Sequence, residues 1–316
     1  MEYRRLGRSG LKVSALSIGS WVTYGKQVND ERAKACILTA IDNGVNFIDN
    51  AEAYASGQAE VVVGRIISDL RREDLVISSK VFWGGNGPND KGLNRKHVVE
   101  ACHAALKRLQ LDYLDLYFCH RPDPETPVEE TCETMDILIR QGKVLYWGTS
   151  EWSASQLQEA YDVCDRRGLI RPTMEQPQHN LLHRHRVEVE LLPLYAKYGL
   201  GTTVWSPLAS GILTGKYNDG VPSDSRMAMT SMQWLQDELT EDRLRVARQL
   251  TEYAAQLGCT AAQLALAWSL RCPHISTVIT GASRPEQVVE NIKALAISKS
   301  LDQDFLNRIN QINPLN

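Results

Sequence analysis

No run in this chain approaches the roughly 20 consecutive apolar residues that a membrane-crossing helix needs, so membrane insertion is not expected. The first residues, Met1-Glu2-Tyr3-Arg4-Arg5-Leu6, are charged and lack the apolar core of a signal peptide. Its seven cysteines, Cys36, Cys102, Cys119, Cys132, Cys164, Cys259 and Cys272, are scattered and odd in number. None forms a Cys-x-x-Cys pair, so neither a disulfide framework nor a zinc site is indicated, and a reducing cytoplasm is the expected setting. His183 and His185 alternate in a polar stretch without partners at ligand spacing, which leaves no metal to expect. A formal net charge of -3 gives no reason to expect nucleic acid or an anionic membrane as partner. No Gly-x-Gly-x-x-Gly follows the first strand, so the main sign of a Rossmann domain is missing.

What is present is alternation. Tyr3–Leu6 and Leu11–Val13, around Gly7-Arg8-Ser9-Gly10, read as a hairpin, and 15–19 follows as a first buried strand. Strand-like runs recur at 46–49, 75–79, 113–119, 144–149, 173–176, 201–205 and 276–280. A helix capped by Asp30 and stopped at Gly44 follows the first strand, and helical runs follow at 58–69, 95–109, 128–141, 153–167 and 185–198. Eight strand–helix units favour closure into a (β/α)8 barrel over an open sheet. A length of 316 residues with 43% hydrophobic content suits one domain over 1–316. The stretch 206–239 is glycine-punctuated and poorly periodic, and reads as a long loop over the barrel mouth after the seventh strand. Helices at 240–257 and 260–271 precede the last strand, and a tail helix near 301–312 covers the outside or the bottom.

Four polar residues stand where apolar runs stop: Asp49, Lys80 and His120 at strand ends, and Tyr54 five residues beyond Asp49. In a parallel barrel the strands' carboxyl ends face one mouth, so the four can converge. A phenol of pKa near 10 is a poor acid at neutral pH, and an ammonium such as Lys80 is expected to lower it. Asp49 would keep the lysine charged and aimed, and His120 would bond the oxygen on which charge develops. Each alone has a plainer role, as helix cap, packing aromatic, solvated strand end or satisfied imidazole. Their coincidence on neighbouring strands favours proton delivery to a carbonyl oxygen.

At these residues the chain resembles the aldo-keto reductase superfamily. The resemblance rests on Asp49-Asn50-Ala51-Glu52-Ala53-Tyr54, Ser78-Ser79-Lys80, Cys119-His120, Lys143–Ser150, Trp205-Ser206-Pro207-Leu208 and Gly281-Ala282-Ser283, and spans nearly the whole length. It is most similar to the branch containing the potassium-channel β subunits, through Trp21–Gly25, Phe82–Gly85, Arg121–Pro127, Gly211–Tyr217 and Glu290-Asn291. Animal channel subunits of that branch carry Asn where this chain has His120, so the full reductase tetrad is kept. The resemblance implies reduction of a small-molecule carbonyl by NAD(P)H, with Tyr54 as proton donor, Lys80 and Asp49 tuning it, and His120 orienting the carbonyl. It also implies an assembly of four or eight copies as one option.

Cofactor contacts follow from the same likeness. Ser20, Trp21 and Gln27, after the first strand, and Asp49, at the end of the second, are among them. Ser150 and Gln176 would hold the nicotinamide carboxamide, and Trp205 either stacks on the ring or packs as a mouth aromatic. Ser206, Pro207, Leu208, Ser210 and Lys216 begin the long loop and would clasp the pyrophosphate, with Arg226 closing over it. Gly281, Ser283 as N-cap, Arg284 and Gln287 open the last barrel helix, whose N-terminus welcomes phosphate. Arg284 favours NADP(H) over NAD(H), although many relatives place the arginine at the Gln287 position. Glu290 and Asn291 match adenine contacts. Trp21, Tyr24 and Trp83 would line an aromatic substrate pocket. Glu151, where relatives carry Asn or Arg, is not counted as a ligand. A redox-sensing channel-type subunit binding NADP is the alternative, disfavoured by His120 and by the lack of a long extension before Tyr3. A Schiff-base aldolase using Lys80 is disfavoured by the nearby Asp49.

Overall fold

The computed structural model describes residues 1–21, 29–223, 225–228 and 235–315. A hairpin of β1 (Tyr3–Arg5) and β2 (Lys12–Ser14) precedes a closed ring of eight parallel strands. These are β3 (Leu16–Gly19), β4 (Phe47–Asp49), β5 (Val76–Val81), β6 (Leu114–Cys119), β7 (Val144–Ser150), β8 (Met174–Gln176), β9 (Gly201–Val204) and β10 (Thr277–Thr280). β10 pairs with both β9 and β3, which closes the (β/α)8 barrel.

Strand side chains alternate faces with period two, and that parity sorts the barrel. Phe47, Val76, Leu116, Phe118, Met174 and Ile279 pack together with Leu6 and Val13 of the hairpin, an apolar plug. Two or four residues on toward the carboxyl ends, the same parity delivers Asp49, Ser78, Lys80, His120 and Gln176. Gly148, between Tyr146 and Ser150, keeps β7 close to β8, since a Cβ there would lie 2.2 Å from the Met174 carbonyl oxygen.

Helices α1 (Asp30–Asp42), α2 (Gln58–Ile67), α3 (Arg95–Leu109), α4 (Val128–Arg140), α5 (Ala154–Arg167) and α6 (Leu192–Tyr198) follow successive strands. After β9 come α7 (Glu241–Gln256) and α8 (Ala261–Leu270), and after β10 come α9 (Pro285–Ile292), α10 (Ala294–Ser300) and α11 (Gln303–Ile312). α11 lies outside against α7, where Phe305 meets the Tyr253 ring. Among the described residues no helix is long and apolar enough to cross a membrane.

Two local expectations change. Asn29, not Asp30, caps α1, its Oδ1 accepting from Arg32 N at 3.0 Å, which leaves Asp30 in the first turn where its charge meets the helix dipole. The run 185–198 splits into a wide turn at Arg186–Glu190 and α6, with Pro193 in the first turn of α6 where its missing N–H costs nothing.

On the outer face of β8, Glu175 is fully buried, bonded by the Thr149 hydroxyl and by Trp152 N at 3.1 Å. Burial pushes its carboxyl from 4.5 up to about 8, against the Thr149 hydrogen bond and with help from Glu151. The folded state thus holds a proton that the unfolded chain releases near pH 4.5. Stability is full below that pH and falls, by about 1.4 kcal/mol per unit, as pH rises toward 8. Glu175→Gln should therefore gain Tm relative to wild type between pH 6 and pH 8.5. Parallel Tm curves for the two proteins across that range would mean the carboxyl is ionised throughout.

Candidate active site

The four residues meet at the carboxyl end of the barrel. Asp49 and Lys80 come from adjacent strands, and Lys80 has no exposed surface. Lys80 Nζ donates to Asp49 Oδ2 at 2.5 Å, to the Asn50 carbonyl at 2.8 Å and to the Tyr54 hydroxyl at 2.9 Å. Three acceptors for three ammonium hydrogens leave it no freedom to turn. Asp49 Oδ1 accepts from Ser78 Oγ at 2.9 Å and from Gln176 Nε2 at 3.1 Å. Because β8 stands across the ring from β4, that last bond shows the side chains meeting inside the barrel. Tyr54 opens the short turn Tyr54–Gly57, and its ring lies edge-on to His120 with centroids 5.8 Å apart.

The electrostatics correct one expectation. Burial, reinforced by the Asp49 carboxylate, pushes the Tyr54 hydroxyl well above its ordinary value, against a smaller pull from Arg121. Lys80 does not bring the phenol down. Its own ammonium is pushed below the usual lysine value by burial, against the pull of Asp49. In a dry site the cost of creating phenolate outweighs the neighbouring charge, because Asp49 already balances that charge. The phenol is held protonated. Burial, then Lys80 and Arg121, hold His120 well below its ordinary value, so the imidazole is neutral. Its Nδ1 is buried and has no hydrogen-bond partner among the described residues. A protonated phenol beside a neutral imidazole is a pair of groups chemically able to hydrogen-bond one oxygen.

Around the four stands an aromatic wall. Trp83 is 4.9 Å from the His120 ring, and Trp21 meets Trp205 edge-on at 6.4 Å. Tyr24 and Gln27 lie outside the described residues. Ser20 is buried, its Oγ donating to the Asp49 carbonyl at 3.1 Å, and Ser150 Oγ donates to the Gln176 carbonyl at 2.8 Å. Glu151 proves to be a support: its Oε1 accepts from Trp205 Nε1 at 2.9 Å and from Gln178 N at 2.7 Å, fixing the indole at the mouth. Glu52 is a second support missed in the sequence. Its Oε1 accepts from Phe82 N at 2.7 Å and ties the Trp83 wall to the loop carrying Tyr54. An acid three residues after the strand-end Asp49 is the only sequence signal for it.

The start of the long loop has an unusual backbone. Ser206, Ala209 and Ser210 all have positive φ, as does Gly211. Non-glycine residues held in this way cost of order 1 kcal/mol each, and such strain persists where a site needs it. Lys216 folds back on this turn, its Nζ 2.9 Å from where a Cβ of Gly211 would stand. Pro207 is buried and Leu208 half-buried beneath it. Arg226 begins a turn, Arg226–Ala228, and its side chain lies outside the described part.

At α9 a further correction applies. Arg284, not Ser283, occupies the N-cap position, with extended backbone and no side-chain cap. Ser283 instead donates through its N (2.8 Å) and Oγ (3.2 Å) to Gln287 Oε1. Pro285, one residue later at N1, fixes the helix start and leaves the Ser283 hydroxyl one position too early to cap it. Gly281 and Arg284 are exposed, Glu290 pairs with Lys293 at 2.6 Å, and Asn291 is buried.

A closed eight-stranded barrel with this Asp-Tyr-Lys-His group at its mouth defines a class. The family model of the aldo/keto reductase family matches residues 15–314, and the chain belongs to that family, whose reductases use NAD(P)H. Among individual relatives, it is 52% identical over 316 residues to a "Probable voltage-gated potassium channel subunit beta" of Arabidopsis thaliana, covering 99% of this chain and 96% of the relative. The protein of the same name in Oryza sativa subsp. japonica gives the same identity and coverage. A similarly named protein of Schizosaccharomyces pombe is 48% identical over 320 residues, covering 99% and 93% respectively.

Proposed function

We propose that the protein is a single-domain, cytoplasmic NADPH-dependent carbonyl reductase in which Tyr54 protonates the carbonyl oxygen of an aldehyde or ketone. The observation that carries this reading is the bond of the Lys80 ammonium to both the Asp49 carboxylate and the Tyr54 hydroxyl, whose ring lies edge-on to the neutral His120 imidazole. His120 would hold the carbonyl oxygen beside the Tyr54 hydroxyl, while Trp21 and Trp83 exclude water and bind the body of the substrate. As the proton leaves Tyr54, the Lys80 ammonium already bonded to that oxygen takes up the developing charge. Bound NADPH supplies the hydride. Ser150, Gln176 and Trp205 would hold its nicotinamide, and the positive-φ turn with Lys216 and the α9 start would hold its phosphates, a fit supported by that turn's backbone. Purified protein that fails to oxidise NADPH with 4-nitrobenzaldehyde or methylglyoxal would instead favour a cofactor-binding regulatory subunit, as the relatives' names suggest.

Arg284 is exposed and has no acidic partner among the described residues. Pairing with a 2′-phosphate would be bidentate and charge-assisted. Arg284→Ala should therefore lower the ratio of NADP to NAD affinity at least tenfold in a titration of the two nucleotides. An unchanged ratio would place the selectivity elsewhere.

A further inference from the structure

The segment after β6 carries a cation that the reductase chemistry leaves unused. Among the described arginines that are half-buried or buried, Arg4, Arg72, Arg108, Arg184, Arg186 and Arg243 each meet a carboxylate. Arg121 alone, among the described residues, is half-buried without an acid. Its Nη1 donates to the His120 carbonyl at 2.5 Å and to Ser150 Oγ at 3.4 Å. Its guanidinium carbon lies 5.3 Å from the centre of the Trp83 ring, itself 4.9 Å from the His120 ring. So the free guanidinium shares an aromatic wall with the imidazole that would receive the carbonyl.

We propose that Arg121 forms an anion subsite at the barrel mouth, and that the carbonyl compound reduced here carries a carboxylate that pairs with it. This rests on the reductase reading. Asp49 and Lys80 neutralise each other at 2.5 Å, so Arg121 supplies the uncompensated charge beside the tetrad. A guanidinium partly out of water and set over an indole presents a planar fork matched to a carboxylate. The same charge acts on Tyr54, Lys80 and His120, and a bound carboxylate would cancel it.

4-Carboxybenzaldehyde and 4-nitrobenzaldehyde test this, because they match in size and shape and differ in charge; the nitro group is the stronger electron acceptor, a bias that cancels when variant and wild type are compared. Arg121→Met should lower the ratio of kcat/KM for the carboxylate to that for the nitro compound at least tenfold below the wild-type ratio, with Arg121→Lys recovering part of it. Calorimetry of 4-carboxybenzaldehyde with the NADP⁺ complex, where no hydride is available, should show a matching loss of affinity in Arg121→Met. An unchanged ratio and unchanged affinity overturn the subsite. So does an equal loss on both aldehydes accompanied by weaker NADPH binding, which would make Arg121 a cofactor contact. If wild type reduces neither aldehyde, the reductase reading fails, and the calorimetry alone decides: affinity lost in Arg121→Met upholds the anion site, and affinity retained rejects it.

Discussion

Tyr54→Phe should lower kcat for 4-nitrobenzaldehyde by about 10²- to 10⁴-fold, the range that a positioned proton donor contributes, with NADPH affinity nearly unchanged. The substitution removes one oxygen and keeps the ring that lies edge-on to His120. Lys80 Nζ keeps its bonds to Asp49 and to the Asn50 carbonyl, so the loss is one hydrogen bond from a charged donor, which costs about 1.5–3 kcal/mol of stability. At roughly 2 °C per kcal/mol for a chain of this size, a fall in Tm of more than about 6 °C would point to a structural role instead. Wild-type turnover in the Phe variant would require another proton source at the mouth. His120, held neutral by burial and by the charges of Lys80 and Arg121, is poorly suited to be one.

Much of this site was legible in the sequence because the barrel turns strand parity into direction. Once Phe47, Val76 and Leu116 are read as inward, the residues two and four places on must point inward as well, and the carboxyl ends must share one mouth. Asp49, Lys80 and His120 follow from that rule alone. What escaped depends on distances between side chains that no spacing encodes. The cap of α1 fell to Asn29 and the start of α9 to Arg284, each one residue from the expected place, because cap geometry is decided by backbone angles rather than residue preference. The raised Tyr54 hydroxyl was missed because burial, not the nearest charge, dominates a closed site. Glu151 looked like a mismatched ligand, and its bond to the Trp205 indole emerges only when the ends of β7 and β9 are seen to reach each other around β8. Arg121 was read as part of a segment; its want of an acidic partner among the described residues is a statement about every neighbouring carboxylate there at once.

Lys80→Met should be the most damaging single change, because it removes one member of a fully buried ion pair. Asp49 would keep donors from Ser78 Oγ and Gln176 Nε2 but lose the ammonium, and breaking such a pair costs about 3–5 kcal/mol. At roughly 2 °C per kcal/mol for a chain of this size, Tm should fall by about 6–10 °C. Reductase activity should fall at least as far as in Tyr54→Phe, since the phenol loses the cation that receives its charge. Adding Asp49→Asn should restore much of the Tm without restoring turnover, because the stranded carboxylate is then neutral while the phenol still has no ammonium beside it. That divergence separates stability from chemistry in one pair of variants. Additive losses of Tm in the double variant would mean that Asp49 and Lys80 are held by their other partners rather than by each other, and the tetrad would then lack the ion pair on which its proton chemistry depends.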